Sequence, residues 1–359
     1  MFRFAFALCA AVIISAVSQA DVFDMGPGAT SLEMVPVGNP GNAADFHLGQ
    51  SGQVPNDGTT GYGSVAYNYQ ISKYKTTAGQ YAAFLNAVAS TSDPYGLYNS
   101  NMAYSQIGST ITKNGSVFAA SMPNQPMNYM SWGDAARFAN WLSNGQPNTG
   151  VEDSSTTEDG SYFLNGKMSQ ADLMTVTRKP NATFVIPTEN EWYKAAYYDP
   201  NKGGPGVAGY WVYPTKHDTE PSNILSSTGT NNANFYDWFH TGNGGYTVGS
   251  PPWTTDVGSF ANSKSAYGTL DQGGDVWEWN ESAYDDSTRG MRGSSYAGNG
   301  YDTWLSSFYR YHYNPAYEIN GSFGFRVAEV PEPSTIVLLG IGGFGMLAIR
   351  RKLTAILAA

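Results

Sequence analysis

Cysteine is almost absent from this 359-residue chain: the single one, Cys9, lies within the first twenty residues. A disulfide scaffold, a Cys-ligated zinc site and thiol chemistry are therefore excluded once that leader is removed. Charge is also scarce, at 13% of residues, about half the usual share. The formal charge of -10 and the small number of Lys and Arg exclude a nucleic-acid binder, which needs a basic face to replace counterions. The four histidines are His47, His217, His240 and His312. No two lie close enough in sequence for a His-x-x-x-His helix or a His–carboxylate facial set. A Gly-x-Ser-x-Gly elbow, a phosphate loop and a dinucleotide fingerprint are likewise missing. Glycine (41) and tyrosine (25) are abundant, and the hydrophobic share of 41% suffices for one large domain or two small ones.

Both ends read as addresses rather than fold. Residues 1–20 place Arg3 before an apolar run, and Ser18 and Ala20 sit three and one positions before a cut ahead of Asp21. This is the pattern of a secretory signal peptide, removed by signal peptidase after Ala20. At the other end Pro331-Glu332-Pro333 precedes an apolar run over 336–349, followed by Arg350, Arg351 and Lys352. Fourteen helical residues reach about 21 Å, short of a hydrocarbon core of about 30 Å. A short transmembrane tether is expected there, with the three cations left in the cytoplasm. The tail resembles the PEP-CTERM sorting signal of Gram-negative bacteria, which implies processing by an exosortase. Leu353–Ala359 extends beyond the usual end of that signal. Removing both ends leaves 15 basic and 28 acidic side chains, so the body at 21–330 carries a charge near -13.

That body reads as one domain, without heptads, tandem repeats or long linkers. Thr76-Thr77 opens a helix striped by Tyr81, Phe84, Leu85 and Val88. Ser131 caps a second helix carrying Trp132, Ala135, Ala139 and Leu142, which Asn144-Gly145 stops. Thr188 and Glu191 form a capping box for a third, running to Tyr198. Elsewhere short aromatic or β-branched runs, such as 65–71 and 324–328, alternate with Gly, Asn, Ser and Pro. Few helices with many short strands and long loops predict an α+β fold. Residues 146–183 are expected to form a surface insertion with solvated charges.

The order of segments then becomes informative. Tyr69–Thr77, Pro126–Trp132, Ile186–Trp192, Gly273–Trp279, Arg292–Ser295 and Gly324–Ala328 follow one another. Together they resemble the formylglycine-generating enzyme, or sulfatase-modifying factor, family over roughly residues 33–328. The resemblance implies a variant of the C-type lectin fold and an active site with two copper-binding cysteines. Their places fall near Gly298 and at Phe308, and neither residue supplies the thiolate that Cu(I) selects. No copper is expected, and the formylglycine reaction is expected to be absent.

The resemblance also implies calcium, held by Asp271, Gly274, Val276 and Glu278, with a second site at Asn234 and Phe235. The alternative for the first is that Asp271 caps a turn while Glu278 pairs with an arginine. Arg292 and Arg326 are expected to pair with carboxylates such as Glu191 or Glu278. The family's substrate groove would be lined by Arg292, Tyr296, Trp304, Phe308, Tyr309, Tyr311 and His312, with rings suited to sugar faces and equally to peptide. Two readings follow. One is an exported, non-catalytic envelope or matrix protein that binds polysaccharide or peptide. The other is a metal-dependent oxidoreductase using His312 and nearby carboxylates.

Overall fold

The computed structural model describes residues 32–46, 58–104, 106–238, 242–298, 302–318 and 320–331. The leader with Ala20, the tail from Glu332 through Pro333, the apolar run and Arg350–Lys352, and His47, His240 and Tyr301 lie outside the described residues.

All three predicted helices form where their caps place them. Helix α1 spans Ala78–Val88 behind a Thr77–Gln80 capping box, with Tyr81, Phe84, Leu85 and Val88 buried. Helix α2 spans Trp132–Ser143, capped by Ser131 and Asp134 and ended at Asn144. A short α3, Gln170–Met174, precedes α4, Glu189–Tyr197, which starts on the predicted Thr188–Glu191 box. Each box satisfies two backbone amides that a helix start otherwise leaves unpaired.

The strands are short, as an α+β chain rich in Gly and Asn predicts. They are β1 (Met34–Val37), β2 (Tyr69–Ser72), β3 (Ile111–Asn114), β4 (Val117–Ala120), β5 (Phe184–Val185), β6 (Tyr198–Asp199), β7 (Gly209–Tyr210), β8 (Tyr236–Asp237), β9 (Gly245–Tyr246), β10 (Trp277–Ala283), β11 (Arg289–Arg292), β12 (Tyr311–Tyr313), β13 (Phe323–Gly324) and β14 (Ala328–Glu329). One four-stranded sheet runs β1-β2-β14-β5 and closes the two ends of the body on each other. A second runs β12-β11-β10-β13, with β10 antiparallel to β11 and parallel to β13. The remaining pairs, β3–β4, β6–β7 and β8–β9, are separate two-stranded ribbons.

Two expected strands are shorter than predicted. The 65–71 run is strand only from Tyr69, because its partner β1 ends at Val37, directly opposite Tyr69. The 324–328 run is divided between β13 and β14 by the fully buried Arg326. Tryptophans 132, 192 and 279 lie wholly inside the protein and Trp277 nearly so. Their packing fits the burial expected of aromatics beside helix caps.

Segment 146–183 is not a solvated loop. It wraps α2: the Asn140 amide donates to the carbonyls of Thr157 and Tyr162, and Arg137 pairs with Glu158 at 2.6 Å, both buried. Tyr162, Leu164, Leu173 and Val176 join the main core. The apolar residues among its polar ones outweigh its Ser-Thr run. Glu152 is buried here as well, and burial together with the neighbouring Asp93 carboxylate pushes its carboxyl up to about 9. The folded chain thus keeps a proton that the unfolded chain releases near 4.5, so stability falls as pH rises between these values. Glu152→Gln is expected to unfold at about the wild-type temperature near pH 4.5. At pH 8.5 it should unfold at a higher temperature, measured by calorimetry across the pH series.

Candidate functional site

The loop leading into β10 carries two buried carboxylates, Asp271 and Asp275, just ahead of a third, Glu278. Residues 271–276 make three left-handed turns of backbone, at Asp271, Gly274 and Asp275. Glycine is required at 274, since a side-chain carbon there would overlap the carbonyl of Asn234. That close approach is a bridge between the two segments: the Asp275 amide donates to the Asn234 carbonyl at 2.9 Å, and the Asn234 amide donates to Asp275 Oδ1 at 2.7 Å. Asp275 also accepts from the Thr255 amide, and burial raises its carboxyl to about 6.

Glu278, the second residue of β10, is fully buried and fully engaged. Its Oε2 accepts from Arg326 Nε at 2.5 Å and from the Trp192 indole at 2.6 Å. Its Oε1 accepts from Arg326 Nη2 at 2.8 Å and lies 3.1 Å from Lys75 Nζ. Burial alone would raise this carboxyl, but Arg326 and then Lys75 hold it below the usual range.

The first calcium set therefore does not fit. Four donors, two of them from a guanidinium and one from an ammonium, occupy the Glu278 carboxylate that was expected to face the ion. Asp271 accepts from the Gly258 amide through Oδ2, while Lys75 donates to its backbone carbonyl. Val276 is buried. At the second set the Asn234 amide is taken up by Asp275 and the Trp253 carbonyl, and the Phe235 carbonyl accepts from the Thr247 hydroxyl. Among the described residues, no three Asp, Glu, His or Cys side chains come together as a metal-binding group.

A second ionic centre lies at the start of α4. Glu189 accepts from Arg292 Nε at 2.7 Å and, through both oxygens, from Arg310 at 2.7 and 2.6 Å. Arg292 also donates to the carbonyls of Ser307 and Tyr309, which clamps the backbone on both sides of Phe308. Arg292 was expected to line a groove and to pair with Glu191 or Glu278. It is instead wholly buried on Glu189, while Glu191 pairs with Arg178. The Arg326–Glu278 pair does form. Glu189 sits inside the Thr188–Glu191 cap, and its two arginines lie more than a hundred residues away, so sequence spacing does not show the pairing.

The rings of the expected groove mostly face one another. Tyr296 is buried. Trp304 stacks on Tyr309 with centroids 5.1 Å apart, and Tyr311 stacks on Trp277 at 4.8 Å. Phe308 is half-buried, and Gly298 is buried beside Ser294 and Trp304. His312 stacks on Tyr284 at 3.9 Å, bonds Thr288 through Nδ1 at 3.0 Å, and has Asp285 at 3.9 Å.

A different aromatic set is open to solvent. On the β8–β9 ribbon and the segment after it, Trp238, Tyr236, Tyr246 and Trp253 form a continuous strip with successive centroids 6.1, 4.7 and 4.1 Å apart. Trp238 is 58% exposed and Tyr246 39%. The ribbon is braced from beneath. Buried Asp237 accepts from the amides of Gly242 and Gly244, and Asn223 binds the Asn243 amide and the Gly245 carbonyl. Tyr236 and Trp238 flanking Asp237, ahead of the Gly-rich turn at 242–245 and Tyr246, are the signal that could have found it.

A family model for the sulfatase-modifying factor enzyme 1-like domain matches residues 45–330. The chain belongs to this family. A second model, the PEP-CTERM protein-sorting motif, matches residues 329–352, which marks export, association with the cell envelope and processing by an exosortase-type enzyme. No curated protein matches. Among solved structures, Treponema denticola variable protein 1 is similar at 19% identity, over 85% of this chain and 97% of that one, with a TM-score of 0.48. PvdO from Pseudomonas aeruginosa is similar at 17%, over 84% and 95%, with a TM-score of 0.44. Within this sulfatase-modifying-factor domain, the two arginines on Glu189 predict a large effect of removing its charge. Glu189→Gln is expected to cost about 3–5 kcal/mol in urea unfolding, because two buried guanidiniums lose their counter-charge.

Proposed function

We propose that this exported sulfatase-modifying-factor protein is a non-catalytic binder of the cell envelope or extracellular matrix, and that its ligand is a polysaccharide. The observation that carries the reading is the strip of Trp238, Tyr236, Tyr246 and Trp253, exposed at Trp238 and Tyr246. Open ring faces with neighbouring amides and hydroxyls suit the apolar faces and hydroxyl edges of sugars. Asn243 and Ser250 are exposed beside the strip, polar partners suited to sugar hydroxyls. The bracing of the ribbon by Asp237 and Asn223 lowers the ordering cost of binding.

The absence of the formylglycine reaction is supported by composition. The resemblance puts the family's thiols near Gly298 and at Phe308, and the body has no cysteine to replace them. His312, the candidate for other chemistry, is engaged with a ring, a hydroxyl and one carboxylate, which supports the binding reading over the oxidoreductase. Among the described residues no helix is long and apolar enough to cross a membrane, so a membrane tether would rest on the 336–349 run until the tail is processed.

Two outcomes test this. Purified protein on an array of envelope and extracellular polysaccharides is expected to bind at least one polymer, and Trp238→Ala or Tyr246→Ala to weaken it about tenfold or more with an unchanged melting temperature. Binding to peptides alone, or to no polymer, would sink the proposal. A cysteine-containing sulfatase peptide incubated with the protein, copper and oxygen is expected to keep its thiol, read by mass spectrometry.

A further inference from the structure

The loop at 271–278 encloses three carboxylates, those of Asp271, Asp275 and Glu278, all nine-tenths or more buried. Two cations face them, Arg326 and Lys75, and both are buried too. Arg326 takes Glu278 in a two-pronged grip, as described above. Lys75 does something else. It reaches in from the residue before the Thr76-Thr77 cap of α1, donates to the main-chain carbonyl of Asp271 and lies 3.1 Å from Glu278 Oε1. One ammonium thus binds a backbone carbonyl at the first residue of the loop and a carboxylate at its last. A carbonyl and a carboxylate from a Gly-bent loop are the ligands that a hard cation would take.

We propose that the ammonium of Lys75 is the resident cation of this loop, so that the chain holds the 271–278 turn without a metal where its family would use calcium. The lysine is the chain's own and its charge is single. That matches a loop in which Arg326 already supplies one positive charge. The tether also ties the start of α1 to the start of β10, two segments separated by about two hundred residues. An uncharged side chain at 75 would leave the Asp271 carbonyl and Glu278 Oε1 without that cation, and a divalent ion would then have ligands to recruit.

The test uses the purified chain in calcium and in chelator, followed by thermal unfolding and by calcium titration calorimetry. Wild type is expected to melt within about 1 °C in either buffer. Lys75→Ala is expected to melt about 5–10 °C lower in chelator, and calcium should raise it again. Lys75→Arg, which keeps the charge, should stay insensitive to calcium. If Lys75→Ala folds only when calcium is supplied, the proposal is supported. If it folds in neither buffer, the wild-type response decides. A calcium-dependent rise in wild type that Asp271→Ala abolishes would overturn the proposal, because it places a metal in the loop despite the lysine. A rise that survives Asp271→Ala arises elsewhere and leaves Lys75 as the loop's cation. Lys75→Ala with wild-type stability and no calcium response would also overturn it.

Discussion

The Glu278 carboxylate is the charge on which the centre of the fold depends. Its partners come from three distant parts of the chain: Lys75 before α1, Trp192 in α4 and Arg326 between β13 and β14. Arg326 in turn donates to the carbonyls of Ser72 and Leu270, so the same guanidinium also joins the end of β2 to the loop before β10. A buried ion pair of this kind contributes little net stability over apolar packing, since desolvation offsets most of the attraction. What it supplies is position. Each short strand has few ladder bonds of its own, and the carboxylate fixes where four of these segments meet.

The same device recurs beside it with a different consequence. Glu189 draws Arg292 from β11 and Arg310 from the segment before β12, and Arg292 then pins the backbone around Phe308. Tyr62 lies against both guanidiniums, at 4.8 and 5.0 Å. The backbone around Phe308 is therefore held from both sides. Phe308 itself is half-buried, and the neighbouring rings of Trp304 and Tyr309 stack on one another.

Local signals were the legible ones. Thr77, Ser131 and Thr188 each placed a helix start, because a cap is decided by residues three apart. The motif order gave the family, and with it the α+β fold. The sequence could not show partners that lie a hundred residues or more away: Arg292 with Glu189 rather than Glu191, or Lys75 with Glu278. Residues 146–183 misled for a related reason. Their polar composition suggested solvent, but Glu158 is matched by Arg137 on α2 and Asn140 satisfies the loop's carbonyls. Whether a polar residue faces water depends on a partner supplied by another element. The strand at 65–71 fell short because β1, its partner, ended first.

The Glu278 centre and the β8–β9 strip are linked through one residue. Asn234 precedes Phe235 and β8, and it is bonded to Asp275 in the loop that leads to Glu278. Gly274 permits that contact by lacking a side chain. The half-buried ring of Tyr236 and the exposed ring of Trp238 are thus carried on a ribbon whose root is anchored in the charged core. Flexible aromatic side chains on a loose loop would lose most of their stacking energy to ordering. Anchored through Asn234 and braced by Asp237, the rings are held before any ligand arrives. The buried charges of the loop before β10 thus help keep the surface strip in place.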